Sequence, residues 1–297
     1  MWQEEVEGIG PYDFDRALDR LARDPLHAID RKERKITVPI YEPKLEIATV
    51  QAIGTTTHPL FIVSGDHEET KDACLRHIFT IFQWKTSLSD IHRHFLKTSL
   101  RDIFEAHLGT PIILDFSPYS CIVKSIIHQQ LNIAFAYVLT KRFVHTYGMQ
   151  KKGVWFYPSP EKVAGLTVDA LRELQFSQRK AEYIIGVSKQ ITTGELDLSV
   201  LQTASDEEVV QTLTKVRGIG PWTAQSFLLF GLGRPNLFPK ADIGIQHAIK
   251  KLFQLDKKPT YEQMDTYSKE WQPYLSYASL YLWRSIEIEK QKSKKRK

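Results

Sequence analysis

Two stretches of this 297-residue sequence carry residue types that chemistry could use. The first, Leu213 to Ala224, reads LTKVRGIGPWTA. Gly218 and Gly220 permit positive φ and close backbone approach. Ile219 can plug between the flanking helices, and Pro221 suits the first turn of a new helix, where its missing N–H costs nothing. Backbone N–H groups at such a turn and at the following helix N-terminus converge on one point, an anion site fit for a phosphate. Lys215 and Arg217 flank it. Taken by itself, a Gly-x-Gly is most often a plain turn between helices. The second stretch is an arch, Arg234-Pro-Asn-Leu-Phe-Pro-Lys-Ala, followed by Asp242 and an amphipathic segment to Phe253. Alone, an aspartate opening a helix is an N-cap. A carboxylate held in a cleft can also stabilise a developing cation and orient water.

The elements that must position these residues change character along the chain. A helix is expected over Asp13 to Arg23, with Phe14, Ala17, Leu18 and Leu21 on one face. Ile36–Tyr41, Leu45–Ile53 and Pro59–Ser64 are β-branched, partly alternating runs separated by Pro and Gly-Thr punctuation. Glu68 to Phe82 follows as a helix. From about Phe116 the pattern is helix after helix. Pro118 to Tyr147 contains a long amphipathic segment that ends at Gly148. Ser159, Thr167, Ser177 and Ser205 each open a further helix, and the hairpin's second helix runs from Pro221 to about Leu232. The expected fold is an α+β N-terminal domain with a short antiparallel sheet (residues 1–114), then a mainly α domain (115–289) of two helical subdomains with a cleft. A basic tail closes the chain (290–297).

Composition narrows the classes. The formal charge of +5 leans toward a polyanionic partner. The only cysteines, Cys74 and Cys121, cannot build a cysteine-rich zinc or iron–sulfur site, and their number fits a reducing compartment. The histidines fall in no metal-ligand spacing. Met1 to Gly10 is glutamate-rich with no apolar run, unlike a signal peptide. No stretch approaches the ~18 apolar residues of a membrane span. A cytoplasmic protein is expected, nucleoid-associated in a prokaryote or nuclear in a eukaryote, with no membrane partner.

The string around Gly218 resembles the helix-hairpin-helix motif, hydrophobic-Pro/Arg-Gly-hydrophobic-Gly-x-x-Thr-Ala, at nearly every position. With Asp242 downstream, it resembles the helix-hairpin-helix superfamily of base-excision DNA glycosylases. Other segments are similar to the 3-methyladenine DNA glycosylase II family: Pro11-Tyr12-Asp13-Phe14, Ile127-His128-Gln129-Gln130-Leu131-Asn132 and Phe156-Tyr157-Pro158-Ser159-Pro160. So are Ser177-x-x-Lys180-Ala181 and Trp271-x-Pro273-Tyr274-x-Ser276-Tyr277-Ala278. The likeness spans essentially the whole chain and is weakest between residues 30 and 110.

This resemblance implies that Asp242 carries the chemistry. Breaking an N-glycosidic bond develops oxocarbenium-like charge on the sugar, which a carboxylate stabilises. It implies that Gly218, Ile219, Gly220 and Thr223, with Lys215 and Arg217, hold a phosphate of double-stranded DNA containing damaged bases. The target nucleotide would be flipped out, and Leu131 beside Gln130 would fill the gap. Trp222 and Trp283 would give an aromatic slot for a cationic alkylpurine. Trp222 also stands where strand-cutting relatives carry a Schiff-base lysine, so a monofunctional hydrolase is implied, acting on 3-methyladenine and 7-methylguanine ahead of neutral hypoxanthine. No cofactor is expected and the protein is expected to be a monomer, although a monovalent cation could sit at the hairpin carbonyls. Two departures bear on substrate range: Ser226 and Ile243 stand where a well-known member has aromatics. Two alternatives stay open, a glycosylase of this fold for another damaged base and a non-catalytic helix-hairpin-helix DNA-binding protein.

Overall fold

The computed structural model describes the backbone of residues 1–295 and the side chains as far as Glu287; the basic tail of residues 290–297 lies beyond the described side chains. Strands β1 (Trp2–Glu7), β2 (Ala28–Asp30), β3 (Lys35–Ile40), β4 (Glu46–Ala52) and β5 (Leu60–Gly65) form one antiparallel sheet in the order β1-β5-β4-β3-β2. Strict alternation along β4 buries Glu46, Ala48, Val50 and Ala52 while the residues between them stay half-exposed. β1 escapes a search for apolar runs because only Trp2 and Val6 turn inward, and glutamates take the outer positions. Helices α1 (Phe14–Leu21), α2 (Lys71–Ile81), α3 (Leu88–Phe95) and α4 (Arg101–Ala106) complete the first part.

Helices α5 (Pro118–His128) and α6 (Ile133–Tyr147) divide this amphipathic stretch in two. Two residues break it. Gln130 takes a left-handed φ of 54°, and the Asn132 side chain caps α6 by accepting from Phe135 N at 2.9 Å. A short hairpin, β6 (Met149–Lys151) and β7 (Val154–Phe156), leads to α7 (Pro160–Ala164), α8 (Val168–Glu173), α9 (Gln178–Thr193) and α10 (Leu198–Thr203). Helices α11 (Asp206–Thr214), α12 (Pro221–Phe230), α13 (Ile243–Leu252), α14 (Tyr261–Ser268) and α15 (Leu275–Lys295) follow. Ser159, Thr167, Ser177 and Ser205 cap the helices that they were expected to open. No helix among the described residues is long and apolar enough to cross a membrane.

Burial divides the chain differently from the linear boundary near residue 115. One core joins the sheet and α1–α4 to residues of α13–α15, including Ile245, Met264, Tyr281 and Leu282. The other gathers α5–α12, including Ile122, Phe143, Ile184, Leu213 and Phe227. The chain therefore leaves the first core after Phe116 and returns to it at Leu229. Stacked rings stitch the return: Phe95 on Phe104 at 3.9 Å and Phe104 on Tyr281 at 3.7 Å. Phe230 and Leu237 touch both cores, so the arch beyond α12 crosses the seam between them.

Candidate active site

The hairpin is built by backbone geometry. Ile219 is buried and its N–H donates to Val216 O at 3.0 Å. Gly218 has φ +96°, and a Cβ there would lie 2.2 Å from Tyr183 Cγ, so no other residue fits. Gly220 differs. Its φ of −96° suits any residue, and a Cβ there would meet nothing. That empty space faces the start of α12, where Pro221 sits in the first turn and no side chain caps the free N–H groups.

Other hairpin residues are committed within the protein. Thr223 is buried, and its Oγ1 accepts from Gln129 Nε2 at 2.9 Å; the same amide donates to Gly218 O at 2.9 Å. Thr223 thus turns its hydroxyl inward, and one hairpin carbonyl is taken by an amide. Arg217 pairs with Glu182 at 2.8 Å and leans over the Tyr183 ring, while Lys215 is exposed. Gln129, passed over in the sequence in favour of its neighbour, fastens the α5–α6 turn to the hairpin. Lys180 supports that turn from below, donating to the carbonyls of Ile126, Ile127 and Gln129 at 2.8, 2.9 and 2.7 Å. Burial pushes the Lys180 ammonium down to about 8. Gln130 is exposed at the tip, whereas Leu131 is half-buried against the second core. Its apolar side chain gains more from that neighbouring core than from water.

Asp242 caps α13: its Oδ1 accepts from Ile245 N at 2.9 Å. The same oxygen accepts from Trp283 Nε1 at 2.8 Å. No donor among the described residues meets Oδ2. Gly244 gives the pair room, since a Cβ there would lie 3.0 Å from Asp242 Oδ1 and 3.2 Å from Trp283 Cδ1. The arch that delivers Asp242 is pinned at several points. Arg234 donates to Ala204 O at 2.7 Å, and Ser276 Oγ donates to Arg234 O at 2.6 Å while accepting from Leu237 N at 2.9 Å.

Beside Trp283 opens a cavity of about 280 Å³, near the lower edge of the ~300–1,000 Å³ usual for small-molecule sites. Phe230 and Leu280 form part of its wall, and the Phe230 and Trp283 centroids lie 6.4 Å apart. Arg16, Arg20, Arg23 and Arg284 also line it, opposed by Glu287. Arg16 and Arg20 come from α1, Arg23 from the turn just after it and Arg284 from α15, and their convergence has no local signature in the sequence. Trp283 lines the cavity, but Trp222 is 47% exposed on α12 and does not. Ile243 is exposed next to Asp242. No group of three or more His, Cys, Asp or Glu among the described residues could hold a metal ion.

An open glycine hairpin at the head of α12, a half-buried aspartate capping α13 and a cavity walled by Phe230 and Trp283 are the parts of a helix-hairpin-helix protein. The chain belongs to the HhH-GPD superfamily of base excision DNA repair proteins, whose family model matches residues 123–273. It is 56% identical over 289 residues to YfjP of Bacillus subtilis, whose name carries a provisional assignment as a DNA-3-methyladenine glycosylase, covering 97% of this chain and all of that one. A second Bacillus subtilis protein, named DNA-3-methyladenine glycosylase, is 37% identical over 172 residues, 57% of each chain. The 3-methyladenine DNA glycosylase of Archaeoglobus fulgidus has the same fold, with a TM-score of 0.81 at 23% identity over 95% of this chain and 97% of the other.

Proposed function

We propose that this chain is a monofunctional DNA glycosylase that hydrolyses the N-glycosidic bond of alkylated purines, 3-methyladenine and 7-methylguanine, flipped out of double-stranded DNA. One observation carries the reading: Asp242 has Oδ1 held by two donors and Oδ2 free of any donor among the described residues. A carboxylate fixed in this way can hold its free oxygen toward the sugar C1′ while positive charge develops there. The C1′–N bond breaks with its electron pair passing to the base. A water molecule then forms the C1′–O bond and gives up a proton. A cationic alkylpurine leaves as a neutral base and needs no added acid.

The rest of the site has supporting parts in this scheme. The hairpin N–H groups around Gly220 would grip a backbone phosphate, and Gln130 at its exposed turn would enter the gap left by the rotated nucleotide. Trp222 offers no amine for a Schiff base, so strand cleavage is not expected. Incubating the protein with methylated duplex DNA and identifying the released bases tests the reading. Free 3-methyladenine with an intact abasic strand is the expected result; no released base, or a cut strand, would refute it.

A further inference from the structure

Resting on the glycosylase reading of Asp242, we propose that the cavity lined by Trp283, the residue whose indole N–H meets Asp242, takes the flipped base and that Arg20 is its specificity-determining residue. In this role it donates to the acceptor edge of an uncharged purine and opposes a cationic one. The guanidinium of Arg20 lies 3.9 Å from the centroid of Phe230, whose ring neighbours Trp283. A guanidinium stacked on a ring keeps its N–H fork free in its own plane. Among the described residues Arg20 has no hydrogen-bond acceptor and no ion-pair partner.

The neighbouring charges are already engaged. Arg16 meets Asp13 at 3.6 Å and Asp19 at 3.5 Å. Arg23 meets Glu287 at 2.6 Å, and Arg284 lies 3.8 Å from Glu287 and 3.9 Å from Asp19. Asp115, the acidic group acting most strongly on Arg20, is itself paired with Lys124. A second unmet donor faces the same region: Arg284 is 8% exposed, and its Nε has no acceptor. The cavity thus combines an aromatic wall with the half-buried Arg20 guanidinium, which has no acceptor among the described residues, and one buried donor, Arg284 Nε, that lacks one, and a ligand bearing acceptors would complete them.

The chemistry of the base follows. Arginine reads the N7 and O6 acceptors of guanine as a bidentate fork, and hypoxanthine presents the same pair without a charge. 3-Methyladenine in DNA carries a positive charge and an amino group at that edge, so it meets Arg20 with like charge and donor against donor. Its labile bond still helps it leave. Pocket recognition and bond lability therefore pull in opposite directions, unlike in an all-aromatic slot.

The test is single-turnover release of hypoxanthine and of 3-methyladenine by wild type, Arg20→Leu and Arg20→Lys, with melting temperatures recorded. Arg20→Leu should lower hypoxanthine release about 10- to 100-fold and raise that of 3-methyladenine. Arg20→Lys keeps the charge but loses the fork, so it should lower the hypoxanthine rate without the gain for 3-methyladenine. Should Arg20→Leu fold poorly, the ratio of the two rates in Arg20→Lys decides. A ratio that stays at the wild-type value or moves toward hypoxanthine overturns the role of Arg20 alone. A wild type that releases neither base overturns the reading of the site itself.

Discussion

Trp283 donates its indole N–H to the same Asp242 oxygen that caps α13 through Ile245. Under the proposed reading, helix capping and catalytic positioning therefore do not compete for this aspartate. The cap fixes one oxygen at the head of α13 and the indole, from α15, fixes the carboxylate plane, leaving the other oxygen for an external partner.

Asp242→Asn keeps an oxygen able to accept from both donors and removes the charge. Base release should fall by about two to three powers of ten, the scale on which a preorganised electrostatic group acts. The melting temperature should barely move. A variant that loses stability in step with activity would leave Asp242 only its cap.

Trp283→Phe keeps a ring in the cavity and deletes the donor. A hydrogen bond to a charged group contributes about 1.5–3 kcal/mol, so release should slow roughly 10- to 100-fold. Trp222→Ala makes a useful contrast, since that ring is exposed and off the cavity. It should change stability by less than about 0.5 kcal/mol. Single-turnover rates and thermal melts of the two variants separate these outcomes.

The hairpin glycines should respond in opposite ways. Gly218→Ala places a Cβ against Tyr183 at a positive φ, so the melting temperature should drop. Gly220→Ala meets nothing within the protein. It should melt like wild type and bind duplex DNA more weakly, because the added methyl group occupies the space offered to a phosphate. Equal DNA binding by Gly220→Ala and wild type in a titration at fixed salt would remove the phosphate from that position.

Acid should weaken the first core through His107. Burial, with Arg284 and Arg16 nearby, pushes its imidazole down to about 4, and its Nδ1 has no hydrogen-bond partner. The unfolded chain then binds more protons than the folded one between about pH 6.5 and 4, so stability falls as the pH is lowered through that window. The total is on the order of 3 kcal/mol at one pKa unit per 1.36 kcal/mol. Denaturant titrations of His107→Gln against wild type at pH 7 and pH 4.5 should show a smaller acid loss in the variant.

What the sequence determined by itself is local. The left-handed turn at Gly218, the caps at Ser159, Ser177, Ser205 and Asp242, and the alternation of β3–β5 each follow from dihedral preference, capping or two-residue periodicity, which act over a few residues. What only the tertiary structure decided is the company these residues keep. Gln129 reaches Gly218 across 89 positions and Trp283 reaches Asp242 across 41. Arg20 of α1 meets Phe230 of α12 only because the C-terminal helices fold back onto the core of the N-terminal sheet. Neither glutamine of the Gln129–Gln130 pair, and neither Trp222 nor Trp283, is marked by its flanking residues for the place it takes in the fold. Burial is shared by whole elements rather than encoded residue by residue, so the packing of α15 against α4 and α13 decided which side chains line the cavity.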